Sequence, residues 1–400
     1  METLEQFIYM DYHATTPIDP QVLDAMTPYL TSHFGNASST MHPFGWQAKE
    51  AVEKARRQVA ELINCSPEEV VFTSGATESD NLAIKGIAYQ YKDKGNHIIT
   101  STVEHHAVLD SCKVLENEGF EVTYLPVDGY GMVALHAVET AITDRTILIS
   151  LIYANNEVGT INPISEIGEI AEKHGVIFHS DAVQGIGKIE SDVDGLKVDL
   201  MSLTAHKMYG PKGIGALYIR EKQPPIRLHP MIHGGGQERN IRPGTLNVPG
   251  IVGFGMACEL SKAVMHEEDQ PIVSLRKRLY RGLSKQLGFI YLNGHPQKRL
   301  PGNLNISFEF VESESLLMGL KGIALSAGAA CTSTSVEASY VLRAMGIEEE
   351  LALTAIRFGL GRYNTEAEVD TVIDAVVKQV ARLRELSPLY EMALQDRNQM

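Results

Sequence analysis

From Gly45 to Ile63 the apolar residues Ala48, Ala51, Val52, Ala55, Val59 and Leu62 recur at spacings of three and four, with charges between them. That pattern predicts a long amphipathic helix. Short apolar runs rich in strand formers then alternate with helical periodicity. Strands are expected at Val70 to Thr73, His97 to Ser101, Glu121 to Leu125, Thr146 to Tyr153, Val176 to Ser180 and Val198 to Thr204. Helices are expected at Gln21 to Leu30, Glu78 to Tyr91 and Ile164 to His174. Strands and helices in alternation imply an α/β fold whose mostly parallel central sheet is covered on both faces. From Val248 to about Leu287 the pattern turns mainly helical. Short strands follow at Asn303 to Phe308 and Ala355 to Gly359, with helices at Ser313 to Leu320 and Thr365 to Leu386. This shift, with the Glu267-Glu-Asp-Gln-Pro271 break, sets a boundary near residue 262. The expected organisation is a large domain over 17–262 and a smaller α+β domain built from 1–16 and 263–400.

Composition narrows the function classes. With 400 residues, 44% hydrophobic and 21% charged, the chain has ample core for two domains. Its net charge of -15 leaves no basic face for nucleic acid, so no nucleic-acid partner is expected. The start, Met1-Glu-Thr-Leu-Glu-Gln, lacks the basic and apolar regions of a secretory signal, and the longest apolar run, Ile147 to Ala154, is too short to span a bilayer. A cytoplasmic protein with no membrane partner is expected. The four cysteines, Cys65, Cys112, Cys258 and Cys331, show no CxxC spacing, so neither a zinc site nor a redox pair is indicated.

Candidate chemistry gathers where strands end. Val198 to Thr204 delivers Lys207 into the turn Tyr209-Gly-Pro-Lys-Gly213, at the sheet edge where open α/β folds bind ligands. A lysine partly desolvated there loses its proton and adds to a carbonyl, for which pyridoxal phosphate is the natural partner; the alternative is a solvated turn lysine. Ser74-Gly-Ala-Thr77, between a strand and a helix, has the geometry of a phosphate cradle, or of a plain N-cap. Asp181, with Gln184 three residues on, suits a protonated pyridine nitrogen, or caps a helix. His105, in Glu104-His105-His106, is placed to stack on a flat ring and move protons. Asn155-Asn-Glu-Val-Gly159 offers amide hydrogen bonds. Ser326-Ala-Gly-Ala-Ala-Cys331-Thr-Ser-Thr-Ser335 puts one thiol in a small, polar loop, the setting of a swinging nucleophile rather than of a packed cysteine. Arg357, a lone charge in an apolar strand pattern, suits a carboxylate or a buried salt bridge.

Taken together, Thr73-Ser-Gly-Ala-Thr-Glu-Ser-Asp-Asn-Leu-Ala83, Glu104-His105, Asn156-Glu157, Asp181-Ala-Val-Gln184, His206-Lys207, Gly244-Thr245 and Ala330-Cys-Thr-Ser333 resemble the cysteine desulfurases of the iron-sulfur-cluster assembly type. The resemblance runs from Asp11 to about Met392. It implies a fold-type I, class V aminotransferase-like enzyme that binds pyridoxal phosphate and works as a homodimer. Lys207 would then be the Schiff-base lysine. Ala76, Thr77, Thr204 and His206 would hold the phosphate, and Thr245 would reach the partner subunit's phosphate. Asp181 would face the ring nitrogen, Gln184 the ring hydroxyl and His105 the ring face. Asn156 and Arg357 would serve the ring or substrate carboxylate, with Asn36 also touching that carboxylate. The implied reaction converts L-cysteine to L-alanine, with Lys207 and His105 moving protons and the Cys331 thiolate taking the sulfur as a persulfide. The sulfur would pass to an iron-sulfur scaffold protein or other acceptor from a mobile loop at about 326–338. No resident metal is implied, although Cys331 would transiently meet a nascent cluster. Thr204 stands where many relatives have serine, and the end of the chain, Leu389 to Met400, lacks the aromatic-acidic-histidine tail that relatives use to dock a scaffold. A selenocysteine lyase, a class V aminotransferase or a cofactor-free scaffold on the same fold is the alternative.

Overall fold

The computed structural model describes residues 7–327 and 338–399. Among the described residues the largest sheet has seven strands, in the spatial order Val70–Thr73, Gly215–Ile219, Leu200–Thr204, Ile177–Asp181, Thr146–Ser150, His97–Ser101, Glu121–Leu125. Every neighbouring pair is parallel except the two made by Gly215–Ile219, which runs antiparallel to both of its partners. The strands are buried on both faces because successive residues point to opposite sides. Val71, Ile98, Leu148, Leu200 and Leu217 enter one core, while Phe72, Ile99, Ile149, Met201 and Ala216 enter another.

Further along lies a four-stranded antiparallel sheet of Ser326–Ala327, Ala355–Gly359, Asn303–Phe308 and Ile290–Asn293. Its core joins Leu304, Ile306, Ile356 and Phe358 to Leu279, Leu283, Val372 and Val376, and takes in Met10 from the other end of the chain. The pattern of mixed strands and helices read from the sequence is therefore present. The element bounds differ in instructive places. The helix Val248–Gln286 runs unbroken through residue 262 and contains Pro271. The expected break fails because the carbonyl that this proline leaves without a donor, that of Glu267, belongs to an exposed residue that water can serve. By length and hydropathy this helix would also pass for a membrane span, but half of that apolar stretch is buried within the protein, and the helix packs on Pro20–Leu30 and Pro43–Ile63. The strand Gly215–Ile219 was not anticipated: the glycine-rich turn before it reads as an ending, whereas it is the bend of an antiparallel return.

Val70–Thr73 is an edge strand, and its open side is closed by a buried ion pair. Arg56 lies 2.6 and 2.9 Å from the two Glu238 carboxylate oxygens and donates to the Val70 carbonyl at 2.8 Å, while Glu238 accepts from the Phe72 N–H at 2.7 Å. The pair satisfies the edge that would otherwise offer unpaired groups. Arg56→Met, which strands the Glu238 charge, is expected to cost about 3 kcal/mol, read as a lower urea midpoint by circular dichroism; an unchanged midpoint would assign the edge no such dependence.

Candidate active site

The carboxyl ends of the parallel strands open on a cavity of 550 Å³. Its wall includes Ala76, Thr77, His105, Asn156, Asp181, Gln184, Thr204, His206, Lys207 and Arg357. Residues spread over 282 positions of sequence thus meet because five strands of the large sheet deliver their ends to one edge, and Ala355–Gly359 of the second sheet brings Arg357 to it.

The cradle is built by a glycine pair. Gly75 has φ +149°, a conformation that L side chains rarely adopt, and Gly215 backs onto it so closely that a Cβ there would stand 2.8 Å from the Gly75 Cα. The helix Ala76–Tyr91 starts on this turn, with no side-chain cap at Gly75, so the N–H groups of its first turn and the positive end of its dipole face the cavity. Glu78 is held away by Arg242, at 2.7 and 3.1 Å, and accepts the Ser74 N–H at 2.7 Å. Lys212 adds a cation to the same wall.

Lys207 lies in the short turn after Leu200–Thr204, and its Nζ donates to the carbonyls of His13 and Ala14, both at 2.6 Å. Asp181 is buried and accepts from the Val183 N–H at 3.0 Å; burial raises its pKa, against His105, that N–H and Lys207. Burial lowers the pKa of His105, with Lys207 acting in the same sense and Asp181 opposing. The Nδ1 of His105 accepts the Ala107 N–H at 3.1 Å, so in the neutral ring the proton sits on Nε2, the nitrogen left for a ligand. His206 is pushed down to about 4 by burial and by Lys207, and is therefore a neutral donor or acceptor at physiological pH. Its Nδ1 is 3.2 Å from the Thr15 hydroxyl. Thr204 Oγ1 donates to the Ile214 carbonyl at 3.3 Å.

Arg357 combines both readings of the sequence. Its Nη2 pairs with Asp11 at 3.0 Å and its Nη1 donates to the Asn156 carbonyl at 3.0 Å, while Nε is buried with no hydrogen-bond partner. Asn156 Oδ1 and both Asp80 carboxylate oxygens are also buried without a hydrogen-bond partner on this wall, Asp80 lying 3.7 Å from the His179 ring. Such orphaned groups in a cavity call for a polar occupant. Asn36 and Thr245 stand apart. Asn36 is exposed and accepts the Ser38 N–H at 2.9 Å, and Thr245 is exposed in the segment before Val248–Gln286; neither lines the cavity of its own chain. Cys331, with the loop around it, lies outside the described residues. The other three thiols are unsuited to attack: burial pushes Cys65 and Cys112 up to about 12 and Cys258 higher still. Sequence reasoning gave no role to His13, Lys188 or Arg242, which lie in no quoted motif, nor to Glu78 and Asp80, which lie inside the motif Thr73 to Ala83 but were assigned nothing there. Only the polar run Asp11-Tyr-His-Ala-Thr-Thr, ahead of a helix, hinted that the chain start reaches the site.

The model for "Aminotransferase class-V" matches residues 8–372, which is most of the chain. The chain belongs to the class V aminotransferase family. Within this family it is 57% identical over 385 residues to a protein of Anaeromyxobacter sp. (strain K) named cysteine desulfurase IscS, covering 96% of this chain and 95% of that one. A solved structure of a NifS-like protein superposes with a TM-score of 0.88 at 39% identity, covering 94% of this chain and 99% of the other. A structure titled SspA in complex with cysteine gives 0.77 at 37% identity, covering 89% and 99%. Class V aminotransferases depend on pyridoxal phosphate. The residues present fit that group: an open helix N-terminus for its phosphate, Asp181 for its ring nitrogen, the Lys207 amine for its aldehyde and the His105 ring for its face.

Proposed function

We propose that this protein is a pyridoxal-phosphate-dependent cysteine desulfurase, which converts L-cysteine to L-alanine and hands the sulfur to an acceptor for iron-sulfur cluster assembly. The observation that carries the reading is the convergence of Lys207, Asp181, His105 and the uncapped start of Ala76–Tyr91 on one cavity. Bound there, the cofactor supplies an aldehyde and an electron-withdrawing ring that stabilises negative charge at the substrate α-carbon. Ala76 and Thr77 hold its phosphate with Thr204 and His206, and Asp181 keeps its ring nitrogen protonated. Lys207 would hold it covalently, and its amine, once released, would be placed to move the substrate α-proton. His105 offers its Nε2 to the ring face and to proton transfer. Asn156 and the Nε edge of Arg357 take the substrate carboxylate.

The Cys331 thiolate would attack the substrate sulfur; the Cβ–S bond breaks with its electron pair staying on the substrate, whose Cβ takes a proton on the way to alanine, and the sulfur remains on Cys331 as a persulfide. Support for this role is twofold: its small, polar sequence surroundings, and the raised pKa of the other thiols, Cys112 and Cys258 buried and Cys65 half-buried. A homodimer gives Thr245, outside its own cavity, a phosphate to reach across the interface, and Asn36 is read the same way, as a carboxylate contact awaiting its bound partner. The division into a large domain over 17–262 and a small one from 1–16 and 263–400 belongs to the same reading, with Val248–Gln286 as the shared helix. The compartment is the cytoplasm. Purified protein given L-cysteine and a thiol reductant is expected to release L-alanine and sulfide in equal amounts. A requirement for a keto acid, with no sulfide, would instead make it an aminotransferase.

A further inference from the structure

Gln184 is tied at both ends by groups of a single hydrogen-bonding polarity. Its Nε2 donates to the His13 carbonyl at 3.0 Å, and its Oε1 accepts from the Lys188 ammonium at 3.2 Å. The His13 carbonyl can only accept, so the NH2 end of the amide must face it and Oε1 faces Lys188. His13 Nδ1 lies 3.0 Å from the same Oε1. It must therefore carry the ring proton, which leaves Nε2 as a buried lone pair without a partner. One N–H of Gln184 is used by the His13 carbonyl; the other is left for the 550 Å³ cavity that Gln184 lines. Behind this arrangement is a second, small cavity of 40 Å³, walled by His13, Lys188, Lys207, Glu268 and Asp269.

Burial, then Lys207 and Arg357, push Lys188 down to about 7. Burial, Lys188, Arg357 and Lys207 keep His13 neutral against its bond to Gln184. Asp181 interacts with His105 and Lys207 at the larger cavity, and Glu268 and Asp269 line the smaller cavity together with Lys188.

We propose that Lys188 and His13 are positioning residues that lock the Gln184 amide, so that the pocket presents an N–H, backed by the lysine, to the ring oxygen of the cofactor. The proposal rests on the reading of Gln184 as the neighbour of that oxygen. An N–H donor polarised by a cation, which Lys188 is below its pKa of about 7, favours the ionised oxygen. It therefore favours the deprotonated state of the nitrogen that joins Lys207 to the cofactor, because that state leaves the negative charge of the oxygen unbalanced. Loosening the lock must raise the pH at which the visible colour changes.

The test is a pH titration of visible absorbance on the yellow holoenzyme. Lys188→Met is expected to raise the midpoint by about one pH unit, a modest share of what a nearby unit charge exerts in a partly buried site. Lys188→Arg, which keeps donor and charge, restores it. His13→Val, which removes a donor without changing any charge, raises it by less. In a Gln184→Leu background Lys188→Met is expected to add nothing, since the lysine acts through the amide. Unchanged midpoints in both Lys188→Met and His13→Val would overturn the proposal. So would a full Lys188→Met shift in the Gln184→Leu background, which would make the lysine a direct charge. A wild type without visible absorbance would overturn the cofactor reading itself, and this inference with it.

Discussion

Lys207→Ala protein is expected to lose its pyridoxal phosphate on dialysis and to release L-alanine from L-cysteine at least ~10³-fold more slowly than wild type. Two losses add. The covalent hold on the cofactor disappears, and so does the amine that moves the α-proton. The Nζ sits at the end of a three-residue turn, where it donates to the carbonyls of His13 and Ala14, and no other lysine is placed to substitute. Lys212 shares the cavity wall but lies beyond the Gly210-Pro211 turn, and Lys188 is committed to Gln184. Cofactor content after dialysis and the rate of alanine formation read the two losses separately. Retention of both would remove Lys207 from the chemistry.

Cys331→Ala is expected to lose activity without losing the cofactor. The variant keeps its yellow colour and still responds spectrally to L-cysteine, because every group proposed to hold the cofactor is intact. Sulfide release in the presence of a thiol reductant falls by at least ~10²-fold, since an attacking thiolate cannot be replaced from within the cavity. Cys65, Cys112 and Cys258 are held as thiols by burial. Undiminished sulfide release from the variant would replace the persulfide route with direct elimination. The contrast between the variants is sharper than either alone: one loses colour and activity, the other activity only.

Much of the site was legible because its residues sit in local patterns. A strand followed by Ser74-Gly-Ala-Thr77, or by Asp181, or by Lys207, marks a candidate carboxyl edge of a sheet by periodicity, the resemblance to cysteine desulfurases gave those residues their expected roles, and the parallel order brings the ends together. The seven-stranded order itself was not legible. Gly215–Ile219 inserts between Val70–Thr73 and Leu200–Thr204, and nothing local tells a strand which neighbours it will have. Arg357 was ambiguous for a related reason: its partner Asp11 is 346 residues away. His13 and Lys188 were invisible as site residues because their meaning lies in a contact with one amide, not in spacing. Pro271 misled because a proline rule was applied without knowing that the freed carbonyl would meet water.

The separation of the partners also bears on how the chain comes to be functional. The contacts that complete the cavity join His13 to Gln184 across 171 residues, Lys207 to His13 across 194 and Arg357 to Asp11 across 346. A nascent chain that has formed the first parallel strands still lacks the return strand at 215–219 that backs the phosphate cradle, and later the strand that carries Arg357. Non-local closures of this kind come late in folding and are exposed to misassembly until they do. Uptake of the yellow cofactor thus acts as a checkpoint on maturation, reporting that both ends of the polypeptide have found each other.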